Sequence, residues 1–91
     1  MYLELSNNQF ASLPAAISEL KNLRTLFLTS NKLSSLPIQI GELKNLKILN
    51  LSGNPIPKSE MEKIKKLLPN DCDIIFLNKN RRLDRMPLVR F

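Results

Sequence analysis

The sequence predicts an α/β repeat architecture in one domain, in which a short strand and a return segment recur every 23 residues. Three observations predict it. A shift of 23 residues lays the chain on itself. Within each period, one stretch alternates apolar and outward residues with the period of a strand. A second stretch spaces its apolar residues three and four apart, as one face of a helix does.

The shift places Leu3 on Leu26 and Leu49, Leu5 on Leu28 and Leu51, Asn8 on Asn31 and Asn54, and Phe10 on Leu33 and Ile56. It also pairs Leu13-Pro14 with Leu36-Pro37, Ile17 with Ile40, and Glu19-Leu20-Lys21-Asn22-Leu23 with Glu42-Leu43-Lys44-Asn45-Leu46. In Leu26-Phe27-Leu28 two inward leucines flank one outward residue, which is a short strand, and Leu49-Asn50-Leu51 repeats it. Asn31 then falls where the chain must turn and leave backbone groups without partners. A carboxamide both donates and accepts, so Asn8, Asn31 and Asn54 are expected to stack as a ladder that satisfies those groups. On the return, Leu36, Ile40, Leu43 and Leu46 form an inward helical face, with Pro37 suited to its first turn. Asn22 and Asn45 read as turn residues.

The third unit departs from the pattern after Ile56. Ser59 and Glu62 have the spacing of a capping box, which predicts an N-cap at Ser59 and a helix of about ten residues. Its apolar face would hold Met61, Ile64, Leu67 and Leu68, with Glu60, Lys63, Lys65 and Lys66 toward solvent, and Pro69 would stop it. A last strand follows over Cys72 to Leu77, with Cys72, Ile74 and Phe76 inward.

Written as a pattern, these residues give L-x-x-L-x-L-x-x-N-x-L-x-x-L-P-x-x-I-x-x-L-x-x, and the chain resembles a leucine-rich repeat protein of the bacterial 23-residue type. It is similar in this to spirochaete surface and secreted repeat proteins. The resemblance covers roughly residues 1–77. It implies a right-handed solenoid with a parallel sheet on the concave face and short helical or 3₁₀ turns on the convex face. It implies protein recognition as the activity, with no catalytic residues. The domain organisation expected is a repeat domain over 1–77, whose unit 54–77 with its helix acts as a C-terminal cap, and a basic tail over 78–91.

Composition closes most other classes. The chain of 91 residues has no histidine and one cysteine, so Ser-His-Asp and Cys-His nucleophile systems, ordinary zinc sites and an internal disulfide are ruled out. No cofactor or metal is expected. Asp71 and Asp73 lack the further carboxylates that a calcium loop requires. Cys72, inward among apolar neighbours, reads as an inert core thiol. No apolar run approaches the roughly 20 residues of a membrane-spanning helix. Glu4 and the polar run from Ser6 interrupt the N-terminus, so the chain shows no signal peptide. A cytoplasmic protein and an excised piece of a secreted or surface protein both remain open.

The formal charge of +6 is unevenly spread, with five basic and three acidic residues up to Pro57 and nine against five from Lys58 onward. Arg81, Arg82, Arg85 and Arg90 in the tail could neutralise phosphates, but no tryptophan, tyrosine or glycine-rich spacing accompanies them, so nucleic acid is disfavoured. Three readings of the tail stand open: a solvated terminus, a nucleic-acid arm, or an apolar end from Pro87 to Phe91 that adds to a free strand edge in this molecule or another.

If the strands stack in register, their outward residues form three columns: Tyr2, Thr25, Ile48 and Asp73; Glu4, Phe27, Asn50 and Ile75; Ser6, Thr29, Ser52 and Leu77. Tyr2, Phe27, Ile48, Ile75 and Leu77 would make a contiguous exposed apolar patch. Together with Asn50 they are the candidate partner-binding residues, and Phe27 is the central one. A patch covered by the tail or by another copy is the competing reading. The first strand has no element before it, which leaves an open edge flanked by Leu3, Leu5, Phe10, Leu13, Ile17 and Leu20. Self-association through that edge, into a homo-oligomer, is the alternative to binding a different protein.

Overall fold

The computed structural model describes residues 1–77 and the backbone of Val89–Arg90. Five strands form one sheet in sequential order: β1 (Tyr2–Glu4), β2 (Thr25–Phe27), β3 (Ile48–Asn50), β4 (Asp73–Phe76) and β5 (Val89–Arg90). The first four run parallel at the repeat register, with Leu3 beside Leu26, Leu26 beside Leu49, and Leu49 beside Ile74. This is a leucine-rich solenoid sheet, and β1, β2 and β3 are each three residues long with the central leucine facing the core.

The inward leucines explain why the strands sit where they do. Leu26, Leu28, Leu49 and Leu51 are fully buried, whereas the residues on either side of Leu26 and Leu49 are half-exposed. The returns are 3₁₀ helices over Ala15–Glu19 and Ile38–Glu42 and one α-helix, α1 (Lys58–Leu67). Each return packs on the next across the convex side. A return this brief cannot complete several α-turns, and the tighter 3₁₀ form suits a short piece. Pro37 lies just before its 3₁₀ helix rather than inside it, with its carbonyl accepting from the Ile40 N–H at 3.0 Å.

Two expectations about elements are corrected. The helix starts at Lys58, with Pro57 as its N-cap residue and no side-chain cap, so Ser59 and Glu62 do not form a capping box. Pro57 is already extended at φ −69° and ψ 158°, and its carbonyl accepts from the N–H groups of Glu60 and Met61. A proline that presets the entry makes the hydroxyl of Ser59 redundant two residues later. At the other end Leu68 has ψ 160°, as the residue before Pro69 must.

The second correction concerns the first repeat. Leu13 and Ile17 are buried at 7% and 6% exposure, although both were expected at an open edge. Their 3₁₀ helix is covered by the next return. Leu3, Leu5, Phe10 and Leu20 are only half-buried, while their counterparts Leu26, Leu28, Leu33 and Leu43 are fully buried.

The tail ends in the sheet. Val89 and Arg90 pair antiparallel with Phe76 and Ile75, so the chain returns beside its own last parallel strand. The nucleic-acid reading of Arg81, Arg82 and Arg85 falls on residues outside those described. Among the described residues no helix is long and apolar enough to cross a membrane, and no His, Cys, Asp and Glu cluster could hold a metal ion.

Candidate concave-face interface

The interface begins with how the turns after each strand are held. Asn54 is 4% exposed and its carboxamide is saturated. Oδ1 accepts from the N–H groups of Asn31 and Leu33 at 3.2 and 3.1 Å, and Nδ2 donates to the carbonyls of Leu28 and Leu51 at 2.8 and 2.9 Å. Asn31 does the same one turn earlier, accepting from Asn8 and Phe10 and donating to Leu5 and Leu28. Each asparagine therefore serves the backbone of the turn before its own as well as its own strand end. Asn8 is exposed, and its Nδ2 donates to Leu5 and Ser6 within its own turn. Asn45 adds a bridge on the return side, from Nδ2 to the Lys21 carbonyl.

Immediately before each of these asparagines the backbone turns left-handed, at Asn7 (φ 62°), Ser30 (φ 58°) and Gly53 (φ 78°). These three share one repeat position. The shared left-handed residue ends each strand at the same height and so sets where the outward columns stop.

The columns themselves lie on a sheet face that no return segment covers. Tyr2 is 60% exposed, while Phe27, Ile48, Asn50, Ile75 and Leu77 are half-buried. The patch is thus less open than expected, because side chains on neighbouring parallel strands, about 4.8 Å apart, shield one another. Tyr2 and Phe27 meet edge to face with ring centroids 5.4 Å apart, a geometry the aromatic quadrupoles favour. Phe27 lies between Glu4 and Asn50 in the register. Both of those polar side chains fold back on their own turns, Glu4 Oε1 accepting from the Ser6 N–H and Asn50 Oδ1 from the Ser52 N–H. In the third column Ser6 and Ser52 accept from the N–H groups of Thr29 and Leu77 at 3.1 and 2.8 Å, which ties the lower rim across strands.

Two features escaped sequence reasoning. Ile38 is 71% exposed on the convex side, and its repeat counterpart is Ala15, so no periodic signal marked it. Gly41 lies under α1: a Cβ there would sit 2.8 Å from the Leu67 carbonyl oxygen. Its counterpart Ser18 has no α-helix beside it, and that difference at one repeat position is the trace the sequence carried. Ion pairs tie consecutive repeats near the strand starts, Lys21 to Glu42 at 3.4 Å and Lys47 to Asp71. The Lys47 hydrogen bond and charge hold the Asp71 carboxyl below its ordinary range. Burial, with the negative charges of Asp73 and Asp71 behind it, pushes the Cys72 thiol up to about 11.

Residues 1–56 match a family model described as leucine-rich repeat, and residues 45–72 match a second leucine-rich repeat model. Among solved structures, a leucine-rich repeat protein of Leptospira interrogans is similar, with 48% sequence identity and a TM-score of 0.75 over 78% of this chain. This chain spans 18% of that protein's length. No curated protein matches the sequence. Proteins of this family and fold typically act by binding rather than by catalysis. Repeated inward leucines, asparagines that close each turn on the one before, and two family matches together account for most of the chain, which belongs to the leucine-rich repeat family.

Proposed function

We propose that the chain is a non-enzymatic protein-binding module whose partner docks on the concave sheet face, across Tyr2, Phe27, Ile48, Asn50, Ile75 and Leu77. The observation that supports this most is the Tyr2–Phe27 pair. An exposed tyrosine held edge to face against a half-buried phenylalanine, on a face that no helix among the described residues covers, is a rigid aromatic anchor of the sort that dominates binding energy. A photo-reactive phenylalanine analogue at position 48 is expected to cross-link a partner protein, and Phe27→Asp to abolish the adduct while leaving cooperative unfolding intact. Equal adducts from position 48 and from Ile38 on the convex side would overturn the assignment of the face.

A second reading, self-association, is favoured by the half-burial of Leu3, Leu5, Phe10 and Leu20 beside β1. That edge fits a further repeat or a second copy. The tail does not serve as its cover within the chain, since β5 lies at the opposite edge of the sheet. Solution mass by light scattering over a wide concentration range separates a monomer from a concentration-dependent dimer.

A further inference from the structure

The outward columns of β1 to β4 carry a charge opposite to that of the molecule. The whole chain is +6, yet the charged residues among the outward positions of β1 to β4 are Glu4 and Asp73, both acidic. Arg24 and Lys47 precede their strands rather than lying in the columns, and Lys47 is held by Asp71. Glu4 is exposed and sits beside Phe27 in the register, two residues along β1 from Tyr2. One corner of the face therefore combines two aromatic rings set at 90° with a carboxylate. An aromatic face attracts a cation, and an adjacent carboxylate adds ordinary charge attraction.

We propose that the partner of this face is a cationic, apolar segment, one of whose arginine or lysine side chains seats at the Tyr2, Phe27 and Glu4 corner while its apolar residues cover Ile48 and Ile75. The proposal rests on the concave-face reading above. Arg90 lies in β5, four strands from β1 at about 4.8 Å per strand, so its backbone is about 19 Å from the corner. Glu4 can be neutralised without disturbing its turn, because Gln keeps the oxygen that accepts from the Ser6 N–H.

The test uses the full chain with three octapeptides in which leucine alternates with arginine, glutamine or glutamate. Amide shifts and affinities are followed by NMR titration. The arginine peptide is expected to move the amides of Tyr2, Glu4 and Phe27 and to bind about tenfold tighter than the glutamine peptide. Glu4→Gln should remove about two- to fivefold of that advantage at unchanged Tm, and added salt should weaken the arginine peptide most. If the glutamine or glutamate peptide binds as tightly, with shifts on the same face, the cation corner is overturned and the docking face stands. If the arginine peptide moves no concave-face amide, both are overturned.

Discussion

Asn54 is the residue on which most backbone partners depend. Truncating it strands two buried N–H donors, of Asn31 and Leu33, and the Leu51 carbonyl, and leaves the Leu28 carbonyl to Asn31 Nδ2. Asn54→Ala is expected to lower stability by about 3 kcal/mol or more, and Asn8→Ala by less than about 1 kcal/mol, as read by urea unfolding. Cys72 gives a pH prediction. Its folded thiol ionises near 11 against an ordinary 9.0, so the folded state disfavours the thiolate. The native contribution is whole below pH 9 and is lost as pH rises from 9.0 toward 11, and Cys72→Val should flatten stability over that window. The period made the asparagine positions legible because a turn with unpaired backbone groups needs a carboxamide. The left-handed backbone at Ser30 was not legible from the residue itself, since serine carries no signature of that conformation, and the hints to it are Asn7 and Gly53 at the same repeat position.

Among elements, α1 and the second 3₁₀ helix illustrate how a repeat is modified where the pattern ends. Gly41 leaves room for the Leu67 carbonyl, and a methyl group there would press on backbone that cannot step aside. Gly41→Ala is expected to destabilise by about 1–3 kcal/mol, with Ser18→Ala near neutral as the matched control; thermal melts decide. Strand and return positions were legible from parity and from the three–four spacing of apolar residues. The start of α1 lies two residues before the expected one because Pro57 and Ser59 both offer a beginning, and the proline's fixed dihedral acts first. The Tyr2–Phe27 contact follows from the register, but its edge-to-face geometry is a matter of side-chain rotamers that a pattern cannot convey.

At the scale of the molecule, the sheet among the described residues is open at β1 and closed at β4 by β5. A chain ending at Leu77 would expose the unpaired edge of β4, and such edges recruit other strands. It is therefore expected to associate more than the full chain, with a larger mass by light scattering at equal concentration. A smaller mass would mean that the tail joins molecules rather than sealing one. The fold was legible at this scale because stacking repeats bury a continuous core only one way, whereas the pairing of the last two strand residues depends on the path of residues 78–88, which no period describes.

The asparagine ladder gives assembly a direction. Oδ1 of Asn31 and of Asn54 each closes amides of the turn that precedes it, so a turn's hydrogen bonding is completed by the sequence that follows. During synthesis each turn leaves the ribosome unfinished and becomes satisfied only when the next arrives. A nascent chain of these repeats would thus trail one incomplete turn at its growing end throughout, and Asn54 supplies the last such closure to the repeats before it.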